Sequence, residues 1–453
     1  MKSKQLIPLG GDGGGSCADG VCTMPMPSAS PTQCRRIVVT GLGIVSPLGC
    51  GVEAAWANLL EGRSGIRRLA PGFADDVASQ VAGRVPGADE PAGLDIDRVI
   101  PPKDQKKMDR FIQFAIAAAD EAIAQAGWAP ADEAASARTA TVIATGIGGF
   151  PAIAEAVRTV DTRSARRLSP FTAPSFLANL AAGWVSIRHG FKGPIGAPVT
   201  ACAASAQAIG DAARLIRSGE ADIAVCGGAE ASIDHVSLGV FGAARALSSD
   251  FNDTPELASR PFDTARDGFV MSEGAGMLVL ESLEHALARG ALPIAELVGY
   301  GTSSDAYHLT ASPEDGAGAR RAMLAAIAQA GILPDQIGHL NAHATSTQVG
   351  DGSELAAIKA VFGEGARLAI SATKSSTGHM LGAAGGVEAI FTVLALRDGI
   401  APPTRNLDAA DPSARGLDIV GKAARAIDTD YAISNGFGFG GVNASVIFKR
   451  WLD

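Results

Sequence analysis

The hexapeptide AIAQAG occurs twice in this chain, at residues 122–127 and 326–331, and both copies stand at the same place in the same order of elements. Ahead of the first copy, "RRIVVTGLGIVSPLG" (35–49) is a β-branched run ending in glycines, as a buried strand feeding a loop does. A helix is expected over 107–126, where Met108, Phe111, Ile112, Ala115, Ile116, Ala119 and Ile123 recur at three- and four-residue steps. Gly127 and Pro130 supply its stop. Ahead of the second copy, "AELVGYG" (295–301) is again strand then glycine, followed by a helical segment. After each copy come a proline loop, an apolar strand and a Gly/Ser-rich turn that opens a further helix. One hexapeptide can recur by chance in an Ala-rich chain, but agreement of order points to a duplicated α/β unit.

At 453 residues the chain exceeds the length at which a single core usually stops growing, which suits a duplication. The junction is expected near 289–293, giving halves at 35–291 and 292–453. Residues 1–34, rich in Gly, Ser and Pro, read as a flexible tail without the apolar run of a signal peptide. Cys17 and Cys22 within it have no second pair at ligand spacing, so no metal is expected there. With 47% hydrophobic and 19% charged residues the composition is that of a soluble globular enzyme. A net charge of −9 opposes nucleic-acid binding, and no apolar run is long enough for a membrane span. Six unevenly spaced cysteines do not make a disulfide scaffold, which fits a reducing cytoplasm.

In each half the turn that opens the later helix carries polar chemistry: "TACAASAQAIG" in the first, "ATKSSTGHMLGAAGG" in the second. Cys202 falls at a strand-to-helix corner, where unpaired N–H groups and the helix dipole favour a thiolate and small neighbours admit a carbonyl. The same residue could equally be a small packing hydrophobe; Cys226, mid-strand, reads as packing. Among seven histidines, two stand out by their context: His343 in "NAHATSTQVGD" at the end of an apolar strand, and His379 in "TKSSTGHMLG" at a helix-opening turn. His339 and His343 are four apart, but their strand-like setting argues against a metal pair. "GLGIVSPLG" lacks the third glycine of a dinucleotide fingerprint. "SNGFGFGGVNAS" (434–445) reads as a mobile loop whose N–H groups can hold an oxyanion beside Phe437 and Phe439.

Taken together, Cys202, His343, His379, Lys374 and the "GFGG" segment resemble the β-ketoacyl-acyl-carrier-protein synthases, in particular the type II elongating condensing enzymes, over about residues 36–450. The resemblance implies a thiolase-like α/β fold, two duplicated βαβαβαββ halves in five layers (α-β-α-β-α), usually a homodimer. It also implies a decarboxylative condensation of malonyl-acyl-carrier protein with an acyl group held on Cys202, without a cofactor. By that resemblance His343 and His379 bind the malonyl thioester carbonyl, the N–H groups of Cys202 and Phe439 form the oxyanion hole, and Lys374 and Glu354 form a supporting ion pair. Thr345 and Thr347 match hydroxyls that bind pantetheine, and Arg245 a basic residue near its phosphate. Ile147 and Phe437 line the substrate pocket, while Phe439 gates it. Lys103, Lys106 and Lys107 match the patch that docks the acidic carrier protein, as a local basic cluster on an acidic protein would.

Three positions depart from that pattern: Thr172 where phenylalanine is frequent, Gly436 where serine is usual, and Ala311 where serine contacts phosphate. They leave chain length open and keep a ketosynthase of a specialised polyketide or modified-lipid pathway as an alternative. A non-catalytic partner subunit usually lacks the nucleophile that Cys202 supplies here. A coenzyme A thiolase would carry a second cysteine near the C-terminus, and none follows Cys226.

Overall fold

The computed structural model describes residues 35–452. The expected tail, with Cys17 and Cys22, lies outside them. The first half runs β1 (Ile37–Ser46), α1 (Arg110–Ala126), β2 (Thr139–Ala144), a helix at Leu180–His189, β3 (Ile195–Gly196), α2 (Ala204–Ser218), β4 (Ile223–Glu230) and β5 (Gly274–Ser282). The second runs β6 (Ala295–Ser304), α3 (Ala317–Ala330), β7 (Ile337–Asn341), a helix at Gln348–Phe362, β8 (Ala369–Ser371), α4 (Ala384–Asp398), β9 (Tyr431–Gly438) and β10 (Val442–Arg450). Both follow βαβαβαββ, and they share one strand order: β1-β5-β4-β2-β3 in the first and β6-β10-β9-β7-β8 in the second. In each, the three outer strands are parallel and the remaining pairs antiparallel. A short antiparallel pairing of Val38 and Val39 with Glu296 and Ala295 joins β1 to β6, so the two half-sheets run on as one twelve-stranded sheet.

Alternation along the strands builds the layers. On β5, Met277 and Val279 face one way into a core with Phe111, Ile112 and Ile116 of α1. Leu278 and Leu280 face the other way, into a core with Ile209 of α2 and Val387, Ile390 and Phe391 of α4. Val446 and Phe448 of β10 enter that same central core from the second half, whereas Ile447 packs outward with Met323 and Ile327 of α3. Helices α2 and α4 therefore form the middle layer. Residues Ala384–Leu396 of α4 are buried on every side, which is why that segment shows no polar face.

The repeated hexapeptide has a structural task. On β1, Gly41 and Gly43 pass so close to α1 that a Cβ would lie 2.0 Å and 1.9 Å from the carbonyl oxygens of Ala122 and Ala118. On β6, Gly299 and Gly301 meet the carbonyl oxygens of Ala326 and Ala322 on α3 at 2.4 Å and 2.1 Å in the same sense. Between each glycine pair a strand N–H faces the helix and is taken by its glutamine: Leu42 N donates to Gln125 Oε1 at 2.7 Å, and Tyr300 N to Gln329 Oε1 at 2.8 Å. Gly127 and Gly331 then end both helices in the left-handed region, with φ of 60° and 68°. Helix α1 begins at Arg110 rather than at residue 107, because the Asp109 side chain caps it by accepting the Phe111 N–H.

Gly41→Ala is expected to destabilise the protein by about 1–3 kcal/mol or more, since a helix carbonyl must yield to the new methyl group. Gln125→Ala, which strands one N–H, is expected to cost about 1 kcal/mol. Urea midpoints of the two variants against the parent check the order.

Candidate active site

Short 3-10 turns lead into both central helices, Ala201–Ala203 into α2 and Leu381–Ala383 into α4. The first residue of each has a positive φ, 50° at Ala201 and 45° at Leu381, although neither is glycine. Such a backbone is held only where its surroundings over-determine it. The two turns are equivalents in the duplicated fold, so Cys202 corresponds to Gly382. At Gly382 a side chain is excluded, because a Cβ would lie 2.0 Å from the Gly146 nitrogen.

A cavity of about 530 Å³ opens at these turns. Cys202, His343, His379, Glu354, Phe439, Phe437, Thr345, Thr347, Ile147 and Arg245 all line it. Within it the Cys202 Sγ stands 2.9 Å from His379 Nε2, and the His343 and His379 rings meet edge to face with centroids 5.4 Å apart. Phe269 stands edge-on to His379 from another side, at 5.4 Å between ring centroids. Behind the histidines lies Lys374, whose Nζ reaches His343 Nδ1 at 3.5 Å. An ammonium can only donate, so Nδ1 accepts and Nε2 of His343 carries the proton. The Thr345 and Thr347 hydroxyls are 3.1 Å apart.

Burial governs the protonation states. Desolvation, reinforced by the Lys374 charge, holds His343 and His379 well below the usual histidine range, so both are neutral near pH 7. Desolvation also pushes the Cys202 thiol up to about 12, against the pull of Lys374 and of the N–H groups of Cys202 and Phe439. The expectation of a resting thiolate is therefore corrected: loss of water costs the anion more than the helix-opening turn returns. Neutral His379, at 2.9 Å, is the form able to take the thiol proton as sulfur attacks.

The expected Lys374–Glu354 ion pair is also corrected. Lys374 Nζ pairs with Glu388 on α4, and both side chains are buried. Glu354 instead accepts the backbone N–H groups of His343 (2.9 Å) and Ala344 (2.7 Å) and the Asn435 amide (3.1 Å), which fixes the segment carrying His343. The one acidic residue inside the apolar run "GGVEAIFTVLAL" was the sequence signal for Glu388. The loop expected over 434–445 is mostly strand: β9 continues to Gly438 and β10 starts at Val442, joined by a tight turn in which Gly440 and Gly441 have φ of 85° and 74°. Glycine at 438 lets β9 reach the nucleophile's turn, since a Cβ would lie 2.8 Å from the Thr200 oxygen and 3.1 Å from the Cys202 nitrogen.

Lys103, Lys106 and Lys107 lie outside this cavity. Lys107 is engaged by Asp104 at 2.7 Å and sits over the Phe171 ring. Lys106 and Arg167 line a second, shallower hollow beside Phe171. The exposed Arg163, Arg166 and Arg167 of "TRSARRLSPF" extend this basic surface, and their clustering in the sequence is the signal that marks them.

The β-ketoacyl synthase N-terminal domain matches residues 34–286, and the β-ketoacyl synthase C-terminal domain matches residues 294–408. The chain belongs to the β-ketoacyl synthase family. It is thus a condensing acyltransferase. It is 50% identical over 92% of its length to 3-oxoacyl-(acyl-carrier-protein) synthase 2 of Rhizobium meliloti (strain 1021), covering 99% of that protein. It is 48% identical to the mitochondrial 3-oxoacyl-(acyl-carrier-protein) synthase of Arabidopsis thaliana, over 93% of this chain and 94% of the other. Among solved structures it resembles a ketosynthase, bound to a hexaketide, in complex with its type II polyketide acyl-carrier protein, with a TM-score of 0.83, 32% identity, and 92% of this chain and 100% of that one covered. Among the described residues no helix is long and apolar enough to cross a membrane, and no three His, Cys, Asp or Glu side chains are placed to hold a metal ion.

Because the resting thiol is neutral, alkylation of Cys202 by iodoacetamide is expected to quicken about tenfold per pH unit between about pH 7 and 9, without levelling off. A plateau near neutrality would instead reveal a thiolate paired with an imidazolium.

Proposed function

We propose that the chain is a 3-oxoacyl-(acyl-carrier-protein) synthase that elongates acyl chains by two carbons, carrying the growing chain on Cys202. The observation that carries this reading is the thiol 2.9 Å from His379 in a cavity shared with a second neutral histidine. In the first step Sγ attacks the acyl thioester carbonyl. The thiol proton passes to His379 Nε2 and on to the departing pantetheine sulfur, while the N–H groups of Cys202 and Phe439 hold the tetrahedral oxyanion. In the second, with Cys202 acylated and the His379 ring proton moved from Nδ1 to Nε2, the Nε2–H groups of His343 and His379 bind the malonyl thioester carbonyl. The bond to the carboxylate breaks, carbon dioxide leaves, and its electron pair becomes an enolate whose oxygen the two donors stabilise.

The enolate carbon then attacks the acyl-Cys202 carbonyl, and the tetrahedral adduct expels the Cys202 thiolate, which takes up a proton. Each donor aimed at the developing oxyanion is worth about 3 kcal/mol in such a pocket. Neutral histidines suit this task, since they donate without a charge that would hold the malonyl carboxylate in place. Lys374 positions them: it fixes the His343 tautomer and disfavours protonation of both rings. Phe439, 41% exposed beside the nucleophile's turn, is the gate between the carrier's arm and the acyl pocket lined by Ile147.

The acyl- and malonyl-loaded partner is an acyl carrier protein. Thr345 and Thr347 would bind the amides of its pantetheine arm, with Arg245 toward the phosphate. Lys103, Lys106 and Lys107, with the neighbouring arginines, offer the acidic carrier a complementary face on a protein of net charge −9. Residues 35–291 and 292–453 serve as the two halves, the first bringing the nucleophile and the second both histidines. A homodimer is supported by the free edge of β3, where Ile195, and Val199 just beyond the strand, stay 55% and 51% exposed. A reducing cytoplasm would keep the Cys202 thiol available.

Cys202→Ala is expected to abolish condensation while the variant still releases carbon dioxide from malonyl carrier protein, because both histidines remain. Intact-mass detection of acyl transfer, followed by product analysis with malonyl carrier protein, checks it. Undiminished chain extension by the alanine variant would sink the assignment, and acceptance of polyketide intermediates in preference to saturated chains would move the substrate class.

A further inference from the structure

One buried carboxylate takes no part in the reaction above and yet grips both sides of the cavity. Glu230 ends β4 and is fully buried. Its Oε2 accepts the N–H of Gly146 at 2.7 Å and the N–H of Gly382 at 3.0 Å. Its Oε1 accepts the hydroxyls of Thr145 and Ser232, both at 3.1 Å. The Thr145 hydroxyl in turn accepts the Gly148 N–H at 3.0 Å, so the carboxylate organises the turn that carries Ile147. Gly382 follows Leu381 directly, and Ile147 and Leu381 both line the cavity that holds Cys202. There is no slack in this contact: a Cβ on Gly146 would lie 2.6 Å from Glu230 Oε2, and one on Gly382 would lie 2.0 Å from the Gly146 nitrogen.

The duplication sharpens the point. Gly382 stands where Cys202 stands in the first half. The Cys202 N–H is one of the two groups that face the nucleophile's sulfur and the proposed oxyanion. The equivalent N–H of the second half is occupied by a carboxylate that the protein itself supplies. One turn is left open to substrate; the other is closed and made into a wall.

We propose that Glu230 is a positioning residue for the acyl end of the site, clamping Ile147 of the first half and Leu381 of the second at a fixed separation so that the wall between them selects which acyl chains reach Cys202. The proposal rests on the condensing reaction above, with the cavity beside Cys202 as the berth of the acyl chain. A second consequence is electrostatic. Burial pushes the Glu230 carboxyl up to about 7, so above that pH its negative charge disfavours the Cys202 thiolate, and removing that charge while keeping the shape makes the thiol more acidic.

Two variants of the full-length chain separate these effects. In Glu230→Ala the two backbone N–H groups lose their acceptor and the wall loosens. The ratio of long-chain to short-chain acylation, read by intact mass from carriers loaded with saturated chains, is expected to shift by about tenfold or more. Carbon dioxide release from malonyl carrier protein, per folded protein, is expected to stay close to the parent. Glu230→Gln keeps an oxygen for both N–H groups, and is expected to retain the parental chain-length ratio while Cys202 is alkylated by iodoacetamide severalfold faster at about pH 8. A purely structural role would lower every activity of Glu230→Ala together, and that result overturns the proposal. If Glu230→Ala does not fold, the chain-length ratio of Glu230→Asp, whose shorter side chain cannot hold both N–H groups in place, decides instead: a parental ratio overturns the proposal. Failure of the parent chain to take an acyl group from any carrier would overturn the condensing reaction instead, since it precedes any question of chain length.

Discussion

Helices α2 and α4 approach each other so closely between the half-sheets that a Cβ on Gly385 would lie 2.9 Å from the Ala206 nitrogen. The Gly386 N–H donates to the Ser205 hydroxyl across the same contact at 2.7 Å. Small residues on the flanking strands complete it, for a Cβ on Gly228 would meet the Ser205 Cβ at 2.7 Å and one on Gly276 the Val387 nitrogen at 2.4 Å. This approach brings the two helix-opening turns to one cavity. A wider spacing, with any larger side chain at these glycines, would draw Cys202 away from His379 and open the wall formed at Gly146 and Gly382.

Burial of Lys374, Glu388 and His379 follows from that close packing, and burial sets the chemistry. Lys374 is a buried cation, tolerable because Glu388 neutralises it within the same central layer. Its field and the loss of water keep His343 and His379 neutral, the state in which each can donate an N–H to an enolate without binding the carboxylate that must leave. The same loss of water keeps Cys202 a thiol until a base 2.9 Å away takes its proton. Catalytic groups and packing are therefore one arrangement: the residues that exclude water also choose the protonation states.

Much of this was legible along the chain because local rules carried it. Apolar periodicity located α1, the glycines flanking Leu42 and Tyr300 marked close strand–helix contacts, and the repeated hexapeptide announced that both halves solve that contact alike. Cys202, His343 and His379 stood out as polar residues at a strand end or a helix-opening turn, where side chains can face a cavity. What misled were features decided by packing rather than by local pattern. The resemblance paired Lys374 with Glu354, but the oxygens of Glu354 are consumed by backbone N–H groups, and the counter-ion of Lys374 comes from inside a helix of otherwise apolar residues. The glycine-rich segment near Phe437 looked like a loop because glycine is a poor strand former. It is a strand because only glycine lets β9 pass the nucleophile's turn.

By itself the sequence determined the duplication, the order of strands and helices within each half, and the kinds of side chain available for catalysis. These depend on periodicity and turn chemistry, which act over a few residues. Only the tertiary structure decided which groups meet, which acid balances Lys374, that Glu230 fills the turn equivalent to the nucleophile's, and that the resting sulfur is a thiol. Those outcomes depend on burial and on distances between segments far apart in the chain, 181 residues for Gly386 and Ser205, and neither quantity is written in local pattern.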